Sequence, residues 1–321
     1  MAPLPETRVT PTLPFSIVGV DYAGPVLIKS SLKARSAILK AYVVIFICFV
    51  TKAVHLELST DATAVAFLAA LQRFIARRGI PSQLHSDNSK TFTGARTKIN
   101  ACFESILSQP NIANFLAVNR ITWRLNPPVS PHFGGLWEAT IKSFKHHFRC
   151  VVGLNKLNYE QAITIISKIE SVLNSRPLTP ISSSVDDLNV LTPGHFLIGR
   201  PMCALPTPMN VHQPRNQPLT HWNKINEIST LFWKRWQHEY LHTLQTSAKW
   251  HTNHPNIEVG SLVVLRDKLL PPLHWKYGRV LKVHPGKDRH VRVVTLQTSR
   301  GIVVRAVSDI CPLPLSDADP D

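Results

Sequence analysis

The sequence has no long apolar run, no paired cysteines and few acids. Its most apolar stretch, AYVVIFICFV at residues 41–50, is too short to cross a bilayer and reads as a buried strand. The five cysteines, Cys48, Cys102, Cys150, Cys203 and Cys311, form no CxxC pair. A scattered, odd set argues against a disulfide framework and for buried thiols in a reducing compartment. The opening MAPLPETRVTPTLPF carries four prolines and no apolar core, so it does not read as a signal peptide. No internal repeat is evident. What is present in excess is positive charge: 36 Lys+Arg face 20 Asp+Glu, a net of +16. That balance favours a polyanionic partner. At 321 residues and 44% hydrophobic, the chain has room for two domains with buried cores.

The charge is uneven. Residues 1–150 carry a net of +10, residues 151–219 a net of +1, and residues 220–321 a net of +5. Two basic regions flank a nearly neutral connector. The run FSIVGV (15–20) predicts a strand ending at Asp21 before the breaker Gly24-Pro25. Residues 41–50 and AVHLEL (53–58) predict two more strands. Asp61 stands where a helix N-cap would, and Val65, Leu68, Ala69, Gln72 and Ile75 follow at helical spacing until Gly79. SQLHS (82–86) is a short strand with Asp87 at its end. Residues 96–118 are ambiguous, with one or two helices around Pro110. ITWRL (121–125) is a further strand, and prolines with Gly134-Gly135 make an irregular loop. Helices are expected over 136–152 and 159–174. Residues 177–219 read as Pro- and Ser-rich linker with a short hydrophobic element at 195–198. The pattern gives an α/β domain with a mixed sheet. A Trp-rich helix over 220–249 and short alternating strands over 259–312 then predict a small C-terminal β-barrel.

Residues 1–150 hold seven acids. Glu6 lies in the Pro-rich lead, Asp61 is explained as a cap, Glu57 shares a strand face with His55 and reads as solvated, and Glu104 lies in the ambiguous region. Asp21, Asp87 and Glu138 remain, each beside special backbone: DYAGP, SDNSKTF and GGLWEA. Phosphodiester chemistry uses hard divalent cations held by carboxylate oxygens. Two ions roughly 4 Å apart stabilise the attacking and leaving oxygens of an in-line displacement. Three converging acids suffice for this. On spacing alone, three unrelated surface acids fit equally well.

The segments VDYAGP, HSDNSKTFTGA and PPVSPHFGGLWEATIKSFK resemble the catalytic core of integrases from Bel/Pao-type long-terminal-repeat retrotransposons. The resemblance covers roughly residues 10–205. It implies an RNase H-like fold of the DDE integrase superfamily, with Asp21 bridging two Mg²⁺ or Mn²⁺ ions and Asp87 and Glu138 flanking. The 51 positions from Asp87 to Glu138 are a longer gap than in retroviral relatives, consistent with an insertion at 96–118. Ser89 departs from the glycine usual in this family and puts the turn under expected strain. The resemblance also implies double-stranded DNA partners (element ends and target), a homo-oligomer, no small-molecule cofactor and a nuclear location, with a cytoplasmic stage before entry. Such integrases carry an N-terminal zinc module; residues 1–20 contain no His or Cys, so a truncated or domesticated form is expected. Its rival reading is a decayed integrase that binds DNA without cutting, and a weaker one is an RNase H-type nuclease.

Glu138, Lys142, Lys145 and Arg149 share one helix face, while Ile141, Phe144, Phe148 and Val151 form an apolar stripe. An acid aligned with three cations suits DNA joining, although solvated Glu–Lys pairs would give the same spacing. Further on, His238-Glu239-Tyr240-Leu241-His242 matches the HExxH zinc-protease signature. Its flanking Trp233, Trp236 and Trp250 read instead as a packing face, and the segment resembles the module that follows the integrase core in these elements. The expected barrel offers Lys276, Arg279, Lys282 and Arg292 as DNA contacts, with Lys287, Arg289, Arg300 and Arg305 also basic and Trp275 and Tyr277 nearby for stacking. The expected organisation is a lead at 1–14, a catalytic core at 15–205, a linker at 206–219, and a DNA-binding helix plus barrel at 220–315.

Overall fold

A computed structural model describes residues 10–30, 36–107, 121–125, 135–153, 155–182, 184, 186–204, 221–245, 256–267 and 270–314; the side chains of 102–107, 135–140 and 221 lie outside it. The chain forms two compact units. One comprises residues 1–173 with 210–229, the other 174–209 with 230–321.

The first unit is built on a mixed sheet. Strands β1 (Ile17–Lys29), β2 (Ile38–Cys48) and β3 (Val54–Ser59) are antiparallel neighbours, and β4 (Gln83–Ser86) and β5 (Thr122–Leu125) add in parallel beyond β1. The order is β3-β2-β1-β4-β5, the RNase H-like arrangement expected from the motifs. Helices α1 (Ala64–Arg78), α2 (Lys90–Leu107), α3 (Gly135–Val152) and α4 (Tyr159–Asn174) complete it. β1 does not end at Asp21. It continues to Lys29 through a register shift between Ala23 and Val26. Pro25 has no N–H to donate and Gly24, at φ 140, takes backbone that other residues rarely adopt, so the pair sits at an irregularity instead of ending the strand.

Local chemistry explains the helix bounds. Thr63, not Asp61, caps α1 by accepting from Ala66 N; Asp61 sits two residues earlier and accepts from Thr63 N at 2.8 Å. Gly79 closes α1 at φ 88, as expected. The buried stripe of α1 is Phe67, Ala70, Leu71 and Phe74, not the row through Val65, which is 62% exposed. The two phenylalanines hold the larger apolar surface, and that decides which face turns inward. The α3 stripe of Ile141, Phe144, Phe148 and Val151 is buried as expected.

The second unit begins at Asn174, just before the stretch read as linker. β6 (Thr179–Pro180), β7 (Val190–Leu191) and the short α5 (Pro193–Ile198) belong to it, as does α6 (His221–Leu244) from Thr230 on. Strands β8 (Leu262–Leu265), β9 (Lys276–Pro285), β10 (Val291–Thr298), β11 (Gly301–Ala306) and β12 (Ile310–Pro312) are the strands expected of the small barrel. They form an antiparallel sheet in the order β11-β10-β9-β8-β12. Val190 packs in a core with Leu241, Leu262, Val264, Cys311 and Leu313. Leu188 packs against the same cluster, so these residues of the expected core span find apolar partners in this unit.

Candidate active site

The parallel pairing of β1 and β4 runs from Ile17↔Gln83 to Val20↔Ser86 and stops. Asp21 is the next residue of β1, and Asp87 stands immediately past the end of β4. Side chains alternate along extended backbone, so these two acids fall on the face opposite Val20 and Ser86, where the parallel pairing stops. Val20 and Ser86 are fully buried, and Trp123 Nε1 donates to Ser86 Oγ at 2.9 Å. Tyr22 turns the same way and packs against Phe67 and Phe92. The aromatic layer beneath α1 and α2 thus anchors one face and leaves the other to the acids.

That other face meets α3. Lys145 Nζ lies 2.7 Å from Asp21 Oδ2, with the Lys145 and Asp21 side chains 36% and 24% exposed. Asp21 Oδ1 accepts from Tyr22 N at 2.6 Å. Glu138 lies in α3, two turns before Lys145, and its side chain falls outside the described residues. Lys142 and Arg149 are exposed. Asp87 is exposed and its Oδ1 accepts from Ser89 N at 3.1 Å. Ser89 O in turn accepts from Thr93 N at 3.0 Å, opening α2. Among the described residues, the non-glycines with positive φ are Phe15, Lys52, Leu273 and Arg289. Ser89 is not one of them, so the expected strain at this turn is absent: a serine fits where the chain already bends toward a helix.

His85 escaped the sequence reading. Gln83, His85 and Asp87 alternate onto one face, and that spacing was the available signal. Burial, helped by nearby Arg124, pushes its imidazole down to about 4, and its Nε2 is buried without a hydrogen-bond partner. Glu57 is likewise not solvated. It is 3% exposed and binds His55 at 3.1 Å, Arg73 at 2.6 Å and Arg77 at 2.8 Å. Glu170 of α4 joins this network through Arg78 at 2.6 Å and accepts from Leu56 N of the edge strand at 2.9 Å.

The C-terminal candidates divide. Arg279 is not on the surface: it is 1% exposed and donates to the carbonyls of Gly260, Ser182 and Asp187 at 2.9, 3.0 and 2.7 Å. A guanidinium that is itself buried and committed to three part-buried carbonyls is not free to hold phosphate. Lys276 pairs with Asp267, and Arg292 pairs with Asp288 at 2.6 Å with both exposed. Lys282 is exposed. Trp275 and Tyr277 pack against the core rather than forming an open platform. In the HExxH segment, His238 and His242 are exposed, Leu241 is buried, and Tyr240 donates to the Pro177 carbonyl. Among the described residues no three His, Cys, Asp or Glu gather as a metal site. The segment packs through Trp233 and Trp236, both buried; Trp250 lies outside the described residues.

Residues 220–313 match a family of unknown function (DUF5641). No curated protein matches the chain. Similar solved structures include a chain of the simian T-cell lymphotropic virus intasome in complex with PP2A regulatory subunit B56 gamma, at 13% identity and TM-score 0.37, covering 98% of this chain and 84% of that one. The HTLV-2 integrase catalytic core domain in complex with magnesium aligns at 17% identity and TM-score 0.33, over 58% of this chain and 97% of that one. The BIV integrase catalytic core aligns at 17% and 0.35, over 58% and 95%. At these values the likeness decides nothing about chemistry, which rests on the chain's own residues.

Proposed function

We propose that the chain is a metal-dependent polynucleotidyl transferase of the integrase kind, acting on double-stranded DNA with Asp21, Asp87 and Glu138 as its metal-binding acids. The observation that carries this reading is the pair of carboxylates immediately past the point where the parallel pairing of β1 and β4 stops, with the helix of Glu138 bound to one of them through Lys145. The donor set fits a cation: Asp21 Oδ2 already holds a positive charge at 2.7 Å. Divalent Mg²⁺ or Mn²⁺, two per site, would supply a nucleophilic water and charge neutralisation at the phosphate. The protein's part is to fix the acids on rigid strands and to hold the DNA backbone. Lys142, Lys145 and Arg149 of α3 would hold phosphate, and Lys282 and Arg292 give the second unit exposed cations. Water would cut near a 3′ end, and the exposed 3′-hydroxyl would attack target DNA, with no covalent protein intermediate. The Bel/Pao-type motifs, a homo-oligomer and a nuclear site of action belong to the same proposal.

The test is nicking and strand transfer on a labelled terminal-repeat duplex with Mg²⁺ or Mn²⁺. Glu138→Gln and Asp21→Asn are expected to remove at least 99% of product, about 3 kcal/mol of transition-state stabilisation, while salt-sensitive DNA binding in the absence of metal persists. Binding without product in the unaltered chain would make it a DNA-binding protein instead.

A further inference from the structure

We propose that Lys145 is an exchangeable counter-cation that couples metal binding to DNA binding. The inference rests on the reading that Asp21 holds metal, and it adds a regulatory property to that site. Both oxygens of Asp21 are engaged: Oδ1 by Tyr22 N at 2.6 Å, Oδ2 by Lys145 Nζ at 2.7 Å. Helical side chains lean toward the helix N-terminus, so Lys145 reaches back along α3 in the direction of Glu138. Lys142 and Arg149 lie on the same helix and are exposed. Among the described residues, Lys145 is the one of the three that pairs with a carboxylate.

A divalent cation needs the lone pairs that the ammonium occupies, and two positive charges do not share that place. Metal arrival therefore releases Lys145. The freed ammonium sits on a flexible stem beside the ions, within reach of the phosphate they would hold. Without metal the reverse applies: DNA can recruit Lys145 only by leaving Asp21 unpaired against a phosphate, an unfavourable like-charge contact. Metal thus raises DNA affinity, and by linkage DNA raises metal affinity by the same factor. The chain is poised to engage DNA fully only once loaded with metal.

The experiment is Mn²⁺ titration of the full chain by the EPR signal of free ion, with and without a saturating DNA duplex. Lys145→Gln is expected to bind Mn²⁺ about two- to fivefold more tightly than the unaltered chain when DNA is absent, the range set by a partly exposed ion pair. It should also lose most of the tightening that the duplex brings. Lys145→Arg, which keeps a cation on Asp21, and Lys40→Gln, which removes an exposed charge of the same unit without touching Asp21, should both stay near the unaltered chain. Equal Mn²⁺ affinity for Lys145→Gln and the unaltered chain overturns the proposal, as does an equal gain in Lys40→Gln, which would reduce the effect to net charge. Mn²⁺ binding insensitive to Asp21→Asn, or absent altogether, overturns the metal site itself and the coupling with it.

Discussion

Arg279 shows how a residue's chemistry and its role part company. By composition it is one more cation on a basic strand. In the structure it is the clamp that fastens residues 182 and 187 to the turn at Gly260. Removing it takes the donor from three part-buried acceptors, each costing up to about 1–3 kcal/mol. Arg279→Met is expected to destabilise the second unit by roughly 3 kcal/mol or more, read by urea denaturation followed through tryptophan fluorescence. Lys282→Gln, at an exposed position three residues further along β9, should leave stability within about 0.5 kcal/mol. Sequence could not separate the two because both are basic residues in an alternating run. Only Leu281 and Val280 beside them carry the alternation, and it is broken by a register shift between Thr295 and Leu296 on the paired strand.

Among elements, the edge strand β3 is the most instructive. Its exposed N–H would template another chain, yet α4 covers it: Glu170 accepts from Leu56 N and holds Arg78. His55 lies between Glu57 and Glu170. Burial works to lower its pKa, but the hydrogen bonds from Glu170 and Glu57 outweigh this and raise it above 6.5. His85, on β4, is lowered to about 4 by burial and then by Arg124. The signs are opposite. His55 contributes stability that is present below 6.5 and lost as pH rises through its raised value. The His85 site binds fewer protons folded than unfolded, so its contribution is present above 6.5 and lost as pH falls toward 4. Stability is therefore expected to decline on acidification from 6.5 to 4 and to be eroded on the alkaline side. In denaturant midpoints taken across this range, His85→Gln should flatten the acid limb and His55→Gln the neutral-to-alkaline one. Helix limits such as 159–174 were legible from periodicity alone. The role of α4 was not, since Glu170 acts on residues more than a hundred positions away.

At the scale of the whole molecule, the chain is divided by packing and not by order along the sequence. The family match at 220–313 leaves out residues 174–199, although Val190 sits in the core of that unit and Ser182 and Asp187 receive Arg279. A fragment spanning 174–315 is expected to unfold cooperatively, whereas 220–315 alone should lose several kcal/mol or fail to fold, because it keeps the Arg279 charge buried beside missing acceptors. Calorimetry on the two fragments decides this; equal melting would show the strap to be dispensable. The sequence by itself determined the mixed α/β order, the strands that carry Asp21 and Asp87, the helix that carries Glu138 and the basic character of both halves. These depend on periodicity, breakers and charge, which act within a few residues. Tertiary structure alone decided that β1 runs on past Asp21, that Ser89 sits unstrained, that Lys145 is held by Asp21 and Arg279 is buried, and that the supposed linker is part of a core. Each of these depends on which distant atoms meet, and local pattern carries no record of that.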